Sequence, residues 1–151
     1  MDLLNSKYII VEIIPTSLNP DKGTIVQLSA LKLNGLKLMD RFDFRLKEEM
    51  VPYKQFLDII NYDKDAFTYV GSKEEMLRKF KKWSNKLPIL IIDNLYTENY
   101  LSSLPNNIES ILPYFKMEYS EDVIDRIISK YGLEYSNYIV DILYDALIKE
   151  L

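Results

Sequence analysis

Glu12 is the one acid inside the apolar run YIIVEIIPTSLNP, residues 8 to 20, and a carboxylate there could hold a cation or accept a proton. Burying a carboxylate without a partner costs several kcal/mol, so stability alone gives a strand no reason to carry one at mid-length. Its expected place is the carboxyl end of a central strand, where open α/β sheets keep their sites. Period-two alternation turns position 14 the same way, and position 14 is Ile, so no second acid stands beside Glu12. With no cysteine and no histidine in the chain, thiol nucleophiles, zinc-thiolate sites, disulfides and imidazole bases are all excluded. Any catalysis rests on carboxylates, Lys, Tyr, Ser or Thr.

The strand that holds Glu12 is β-branched, and Pro15, Asn19 and Pro20 bound it downstream. That content reads as a strand buried on both faces, in the middle of a sheet. A turn-rich loop (16 to 23) leads to a second strand, TIVQLSALKLN (24 to 34), and Asn34-Gly35 supplies the φ > 0 residues of a tight hairpin. In the third strand, 36 to 46, Leu36, Leu38, Phe42, Phe44 and Leu46 are expected on one face, with Lys37, Arg41 and Arg45 on the other. The three strands form an antiparallel meander.

Residues 47 to 71 read as irregular, with helical turns near 54 to 60 and 63 to 67. Ser72 and Glu75 have capping-box spacing ahead of a helix over 72 to 86, whose stripe is Met76, Leu77, Phe80 and Trp83. A fourth strand (89 to 93) follows, set parallel to the first by the crossover. Thr97 is expected to cap a short helix through Leu104, and 107 to 112 to form a fifth, edge strand. A helix from Ser120 carries Val123, Ile124, Ile127, Ile128 and Tyr131 on one face and ends at Gly132. The last helix, 136 to 150, has the polar strip Asp141, Asp145 and Lys149.

This order predicts one α/β domain over 1–151, a mixed five-stranded sheet in the order 3-2-1-4-5 with strand 2 antiparallel and helices on its faces. The net charge of −4, with scattered Lys and Arg, is neither the footprint of a nucleic-acid binder nor that of a DNA mimic. No apolar run approaches ~18 residues and no basic leader precedes Asp2, so the expectation is a cytoplasmic protein without a membrane segment.

Over nearly its whole length, in order, the chain resembles the DnaQ-like DEDDh 3′ to 5′ exonucleases of the ribonuclease H-like fold. The run from Tyr8 to Pro20 looks like their first motif, D-x-E followed by T-G-L-N-P. LPILIIDNLYTENYL (87 to 101) is similar to the second, and YGLEYSNYIVDILYDAL (131 to 147) to the region of the third, H-x-x-x-x-D. The resemblance implies two Mg²⁺ or Mn²⁺ ions held by four carboxylates, with histidine as the base that activates water.

At those positions this chain has Glu12 for Asp, Ile14 for Glu, Glu98 for Asp, Asp93 for His beside a matching Asn94, Ser136 for the last histidine, and a retained Asp141. Asn137 stands where the related tyrosine-type enzymes place Tyr. The resemblance marks Glu12, Glu98 and Asp141 as the metal-ligand candidates and Asp93 as a further vestigial acid, with Thr16, Leu18 and Asn94 as candidate nucleotide contacts. Structural readings stand beside these. Glu98 suits the dipole of a first helical turn, Asp141 a solvated helix face, and Thr16 a turn.

Losing one metal ligand and the base together predicts a catalytically degenerate domain, a pseudoenzyme without a cofactor. It would act by binding, as a regulator or inhibitor, to a protein or nucleic-acid partner, and its twelve tyrosines are candidates for that surface. The alternative is a divergent Mg²⁺- or Mn²⁺-dependent 3′ to 5′ exonuclease acting on single-stranded DNA or RNA. A structural subunit, including a homo-oligomer, is a third reading.

Overall fold

Eight of the nine residues of β1 (Lys7–Pro15) are buried, because apolar clusters cover both faces of the strand. The computed structural model describes residues 1–48, 50–56, 66–92 and 96–151. β1 pairs antiparallel with β2 (Ile25–Asn34), which pairs antiparallel with β3 (Lys37–Leu46). Across the crossover, β5 (Ile89–Ile91) lies parallel to β1, and β6 (Ile108–Ser110) parallel to β5. The expected order 3-2-1-4-5 is therefore present, as β3-β2-β1-β5-β6.

Outside β3 lies a sixth strand that the sequence reading assigned to an irregular stretch, β4 (Thr68–Val70). Three residues are too few to show alternation. The strand exists because Phe44, Arg45 and Leu46 offer a parallel edge to Thr68, Tyr69 and Val70. Of the turns expected near 54 to 67, a 3₁₀ turn forms at Lys54–Phe56, and 57 to 65 lies outside the described residues.

Two corrections concern the β2–β3 hairpin. Its two-residue turn is Gly35-Leu36, since Asn34 already pairs with Lys37, and only Gly35 has positive φ, +60°, as the first central position of a II′ turn requires. A Cβ there would sit 2.8 Å from the Leu4 carbonyl oxygen. The register then shifts, from Leu33 opposite Leu38 to Lys32 opposite Asp40, which leaves Met39 as a bulge and changes the parity of the strand. Leu36 consequently packs with the opposite cluster from Phe42, Phe44 and Leu46, and Leu38 is exposed.

One face of the sheet is covered by α1 (Lys73–Ser84), whose Met76 and Phe80 are buried with Ile9, Val11, Leu28 and Phe42. α2 (Thr97–Tyr100) adds Tyr100 to that side. Tyr96, rather than Thr97, occupies its N-cap, so Thr97 is a buried first-turn residue. The other face is covered by α3 (Val123–Tyr131) and α4 (Ile139–Glu150), with Ile127, Leu143 and Leu147 against Tyr8, Ile10, Leu31 and Leu90. Gly132 closes α3 at φ +64°, as its position predicted. Tyr8 donates from its buried hydroxyl to the Gly35 carbonyl at 2.9 Å, and burial pushes its pKa up to about 12. Among the described residues no helix is long and apolar enough to cross a membrane.

The start of α1 is capped on both sides. Ser72 accepts from the Glu75 amide at 3.1 Å, and the Glu75 carboxylate accepts from the Gly71 amide at 2.8 Å, one residue earlier than a standard capping box. Ser72→Ala is expected to lower stability by about 1 kcal/mol. Urea denaturation would register this as an earlier midpoint with an unchanged slope.

Candidate functional site

The β1–β5 pairing covers Ile9 with Ile89 and Ile10 with Leu90, and Glu12 lies beyond it, where the two strands part. This is the switch point of the sheet, since the chain runs from β1 to β2 and β3 on one side and to β5 and β6 on the other. Such a point leaves a crevice at the carboxyl ends of the strands. A cleft of about 730 Å³ opens there, and Glu12 is in its wall. The carboxylate side chain is only 5% exposed. Tyr53, Phe56 and Tyr96 form an aromatic side, while Tyr119, Glu121, Ile124 and Asp125 come from the start of α3 and the segment before it. Tyr135, Ser136 and Ile139 close the cleft at the entry to α4. The Tyr53 amide donates to the Pro15 carbonyl at 2.8 Å, which ties the 50–56 segment to the end of β1.

Under α4 the sheet carries a polar row. Glu12 stands opposite Ser29, and Ser29 opposite Asp43, so three adjacent strands project these side chains to one face. It is the face of α3 and α4, because Ile10 and Leu31, two positions back, belong to that cluster. Gln27 and Ser29 are buried, and Gln27 Oε1, Ser29 Oγ and Asp43 Oδ1 have no hydrogen-bond partner among the described residues.

Asp141, in the first turn of α4, does not join Glu12 in the cleft wall. Arg41 of β3 takes it: Nη1 lies 2.6 Å from Asp141 Oδ1, Nη2 3.5 Å from Oδ2, and Nε 3.1 Å from Asp43 Oδ2. The guanidinium also sits over the Tyr138 ring, 5.2 Å from its centroid. Burial works against the Arg41 charge, but the hydrogen bonds and charges of Asp141 and Asp43 together outweigh it and hold the pKa above the ordinary arginine value. Beyond Tyr138, Phe67 stacks at 5.9 Å, and Arg45 lies over Phe67 at 5.6 Å. Burial, and then the nearby Asp141 charge, raise the Asp145 pKa one turn further along α4.

The candidates from sequence thus separate. Glu12 lines the cleft. Glu98 is exposed on α2, and Asp141 is in an ion pair rather than only on a solvated helix face. Ile14 is buried in the cluster that holds Phe56, Tyr96 and Leu101. Thr16 closes its own loop: its Oγ1 accepts from the Thr24 amide at 3.0 Å, and its amide donates to the Thr24 carbonyl at 2.9 Å. Leu18 packs against the α1-side core. Asp93 and Asn94 lie outside the described residues. Ser136, at the position of the family's histidine, lines the cleft and accepts from the Tyr138 amide at 3.1 Å.

The two-metal arrangement that the resemblance implies needs several carboxylates converging on one point. No group of three Asp or Glu among the described residues stands close enough to hold a metal ion. Among the described residues, which leave out Asp93, the carboxylates do not converge as that arrangement requires. Arg41, Lys54, Glu121 and Asp125 were not singled out by sequence. Arg41 was placed only on the polar face of its strand, and its partner Asp141 is 100 residues away.

No protein-family profile matches the chain, and no curated protein sequence does. Solved structures do match. Apo exonuclease I is 12% identical with a TM-score of 0.65 over 97% of this chain. The ExoI/SSB-Ct complex is 13% identical with a TM-score of 0.65, also over 97%. E. coli exonuclease I in complex with a dT13 oligonucleotide is 11% identical with a TM-score of 0.64 over 97%. The chain spans 42%, 41% and 40% of those chains respectively. At this identity the likeness shows the fold, which is the mixed α/β ribonuclease H-like fold of exonuclease I.

Proposed function

We propose, from the exonuclease fold and the residues that fill its crevice, that this chain is an exonuclease-like pseudoenzyme. It binds a protein or nucleic-acid partner as a regulator or inhibitor in the cytoplasm and does not hydrolyse phosphodiesters. The observation that carries the reading is the Arg41–Asp141 pair. The carboxylate of the last helix, which the family resemblance would give to a metal, is neutralised by a guanidinium from the protein's own sheet. The chain also has no histidine and an apolar Ile14, so neither a second acid on β1 nor an imidazole base is present to activate water. That exonuclease I has been solved with the SSB C-terminus and with DNA supports partner binding by this fold.

A divergent metal-dependent 3′ to 5′ exonuclease is the second reading, and the observation in its favour is Glu12, a buried carboxylate kept in the wall of the cleft. Metal titration followed by thermal denaturation separates the two. A site saturated about 100-fold above its Kd stabilises the folded state by about 2.7 kcal/mol, which for a chain of this size is a rise of roughly 5 to 10 °C. The expected result is no rise in Tm at millimolar Mn²⁺ or Mg²⁺. A rise of that size, abolished by Glu12→Gln, would overturn the proposal.

A further inference from the structure

The charge of the cleft describes the partner it suits. Among its described walls the ionisable carboxylates are Glu12, Glu121 and Asp125, and the one cation is Lys54. The rim segment 118 to 125 carries Glu118, Glu121, Asp122 and Asp125 with no Lys or Arg. A nucleic-acid strand brings one phosphate charge per nucleotide and is held by cations that release its counterions. Arg126, the residue after the rim segment, donates to Ser120 Oγ of the same wall at 3.0 Å, and the carboxylates around it still outnumber the cations, a balance that disfavours a strand of phosphates.

An arginine side chain meets every feature of the same surface. Guanidinium is planar and weakly hydrated, forks onto carboxylates and stacks on aromatic faces. Tyrosines furnish those faces. Tyr119 and Tyr135 are 41% and 56% exposed, and both stand on this cleft. The molecule already uses this recognition once, where Asp43, Asp141 and the Tyr138 ring hold Arg41. A cleft of about 730 Å³ is within the range that accepts a few side chains of a ligand.

We propose that the cleft docks an arginine-bearing basic segment of a protein partner. One guanidinium enters toward Glu12 and stacks on the tyrosines, while Glu121 and Asp125 meet flanking cations at the rim. The inference rests on the reading of a binding domain and specifies the chemistry of its partner.

The test is fluorescence anisotropy with a fluorescein-labelled Arg-Gly repeat peptide, beside a Lys-Gly repeat of equal length and a labelled oligothymidylate. The Arg-Gly peptide is expected to bind, the Lys-Gly peptide about 5-fold more weakly for want of the fork and the stacking, and oligothymidylate not measurably. Glu12→Gln and Tyr135→Ala should each weaken the Arg-Gly peptide about 10-fold, the loss typical of a docked anchor. Tyr135 is exposed, so its variant keeps the fold even if Glu12→Gln does not. Glu74→Gln, at an exposed position of α1, makes the same charge change away from the cleft and should leave binding unaltered.

Absence of binding, equal affinity in all three variants, or preference for oligothymidylate would overturn the inference. These outcomes are distinct from failure of the parent reading. A nuclease-active chain that still bound the Arg-Gly peptide at Glu12 would sink that reading and leave this one standing.

Discussion

Ile14→Glu, which restores the second acid of the family's first motif, is expected to destabilise the protein by about 3 kcal/mol or more and to confer no metal affinity. Ile14 is 2% exposed, within the cluster that contains Val26, Phe56 and Tyr96. A carboxylate at such a position loses its hydration without gaining a cation, at a cost of several kcal/mol. Of the described candidate acids only Glu12 is left as a co-ligand, since Asp141 is engaged by Arg41 and Glu98 is exposed. Urea denaturation would show a lower midpoint, whereas the volume-conserving Ile14→Met should cost less than about 1.5 kcal/mol.

The pH dependence of this variant has a definite sign. Desolvation raises the folded-state pKa of the new carboxyl above its unfolded value, so the folded state binds the extra proton more tightly. The penalty is therefore smallest in acid and grows as pH rises through the window between the two pKa values. A variant of near wild-type stability whose Tm rises with Mn²⁺ would mean that Ile14 replaced a ligand in an otherwise intact site.

Arg41→Met should show the second largest effect, a loss of about 2 kcal/mol at neutral pH. The pair is intermediate between two regimes. Exposed ion pairs contribute about 0 to 1 kcal/mol, and removing one partner of a buried pair costs about 3 to 5 kcal/mol. The side chains here are 35% exposed for Arg41, 33% for Asp141 and 14% for Asp43. Without the guanidinium, Asp43 and Asp141 face each other uncompensated. Asp145, whose pKa burial and Asp141 already raise, loses the screening that Arg41 gives its neighbour. The uncompensated Asp141 charge raises the folded-state pKa of Asp145 further above its unfolded value, so that part of the deficit is full at neutral pH and shrinks on acidification. Asp141→Asn in the Arg41→Met background should recover at least about 0.5 kcal/mol relative to additivity in a double-mutant cycle. Strict additivity would remove Arg41 from its role as the internal counter-ion of the site.

The parts of the fold that sequence made legible are those governed by local pattern. The β-branched run around Glu12, the glycine at 35, the Ser72 cap and Gly132 each act over a few residues. They placed the central strand, α1 and the end of α3, and Gly35 marked a hairpin whose two-residue turn falls one position later than expected. The bulge at Met39 escaped because the apolar residues at 36, 38, 42 and 44 share one parity in sequence, which reads as unbroken alternation and hides the change of face between 38 and 42. β4 escaped because its three residues take their conformation from the edge of β3.

The site was harder to read for the same reason. Glu12 stood out as a charge inside an apolar run, but nothing near Arg41 announces Asp141, and the two meet only when α4 packs on the sheet. Glu121 and Asp125 read as the polar side of an amphipathic helix until the fold sets them beside Tyr135 on one cleft.

The central claim is that a nuclease fold is present without the means to activate water. Its most direct measurement is a phosphodiesterase assay on 3′-recessed and single-stranded DNA and RNA with Mg²⁺ or Mn²⁺, run on the wild-type chain and on Glu12→Gln in parallel. The account predicts product no greater than in the protein-free blank for both proteins. Stepwise release of 3′ nucleotides by the wild type, lost in Glu12→Gln, would contradict it.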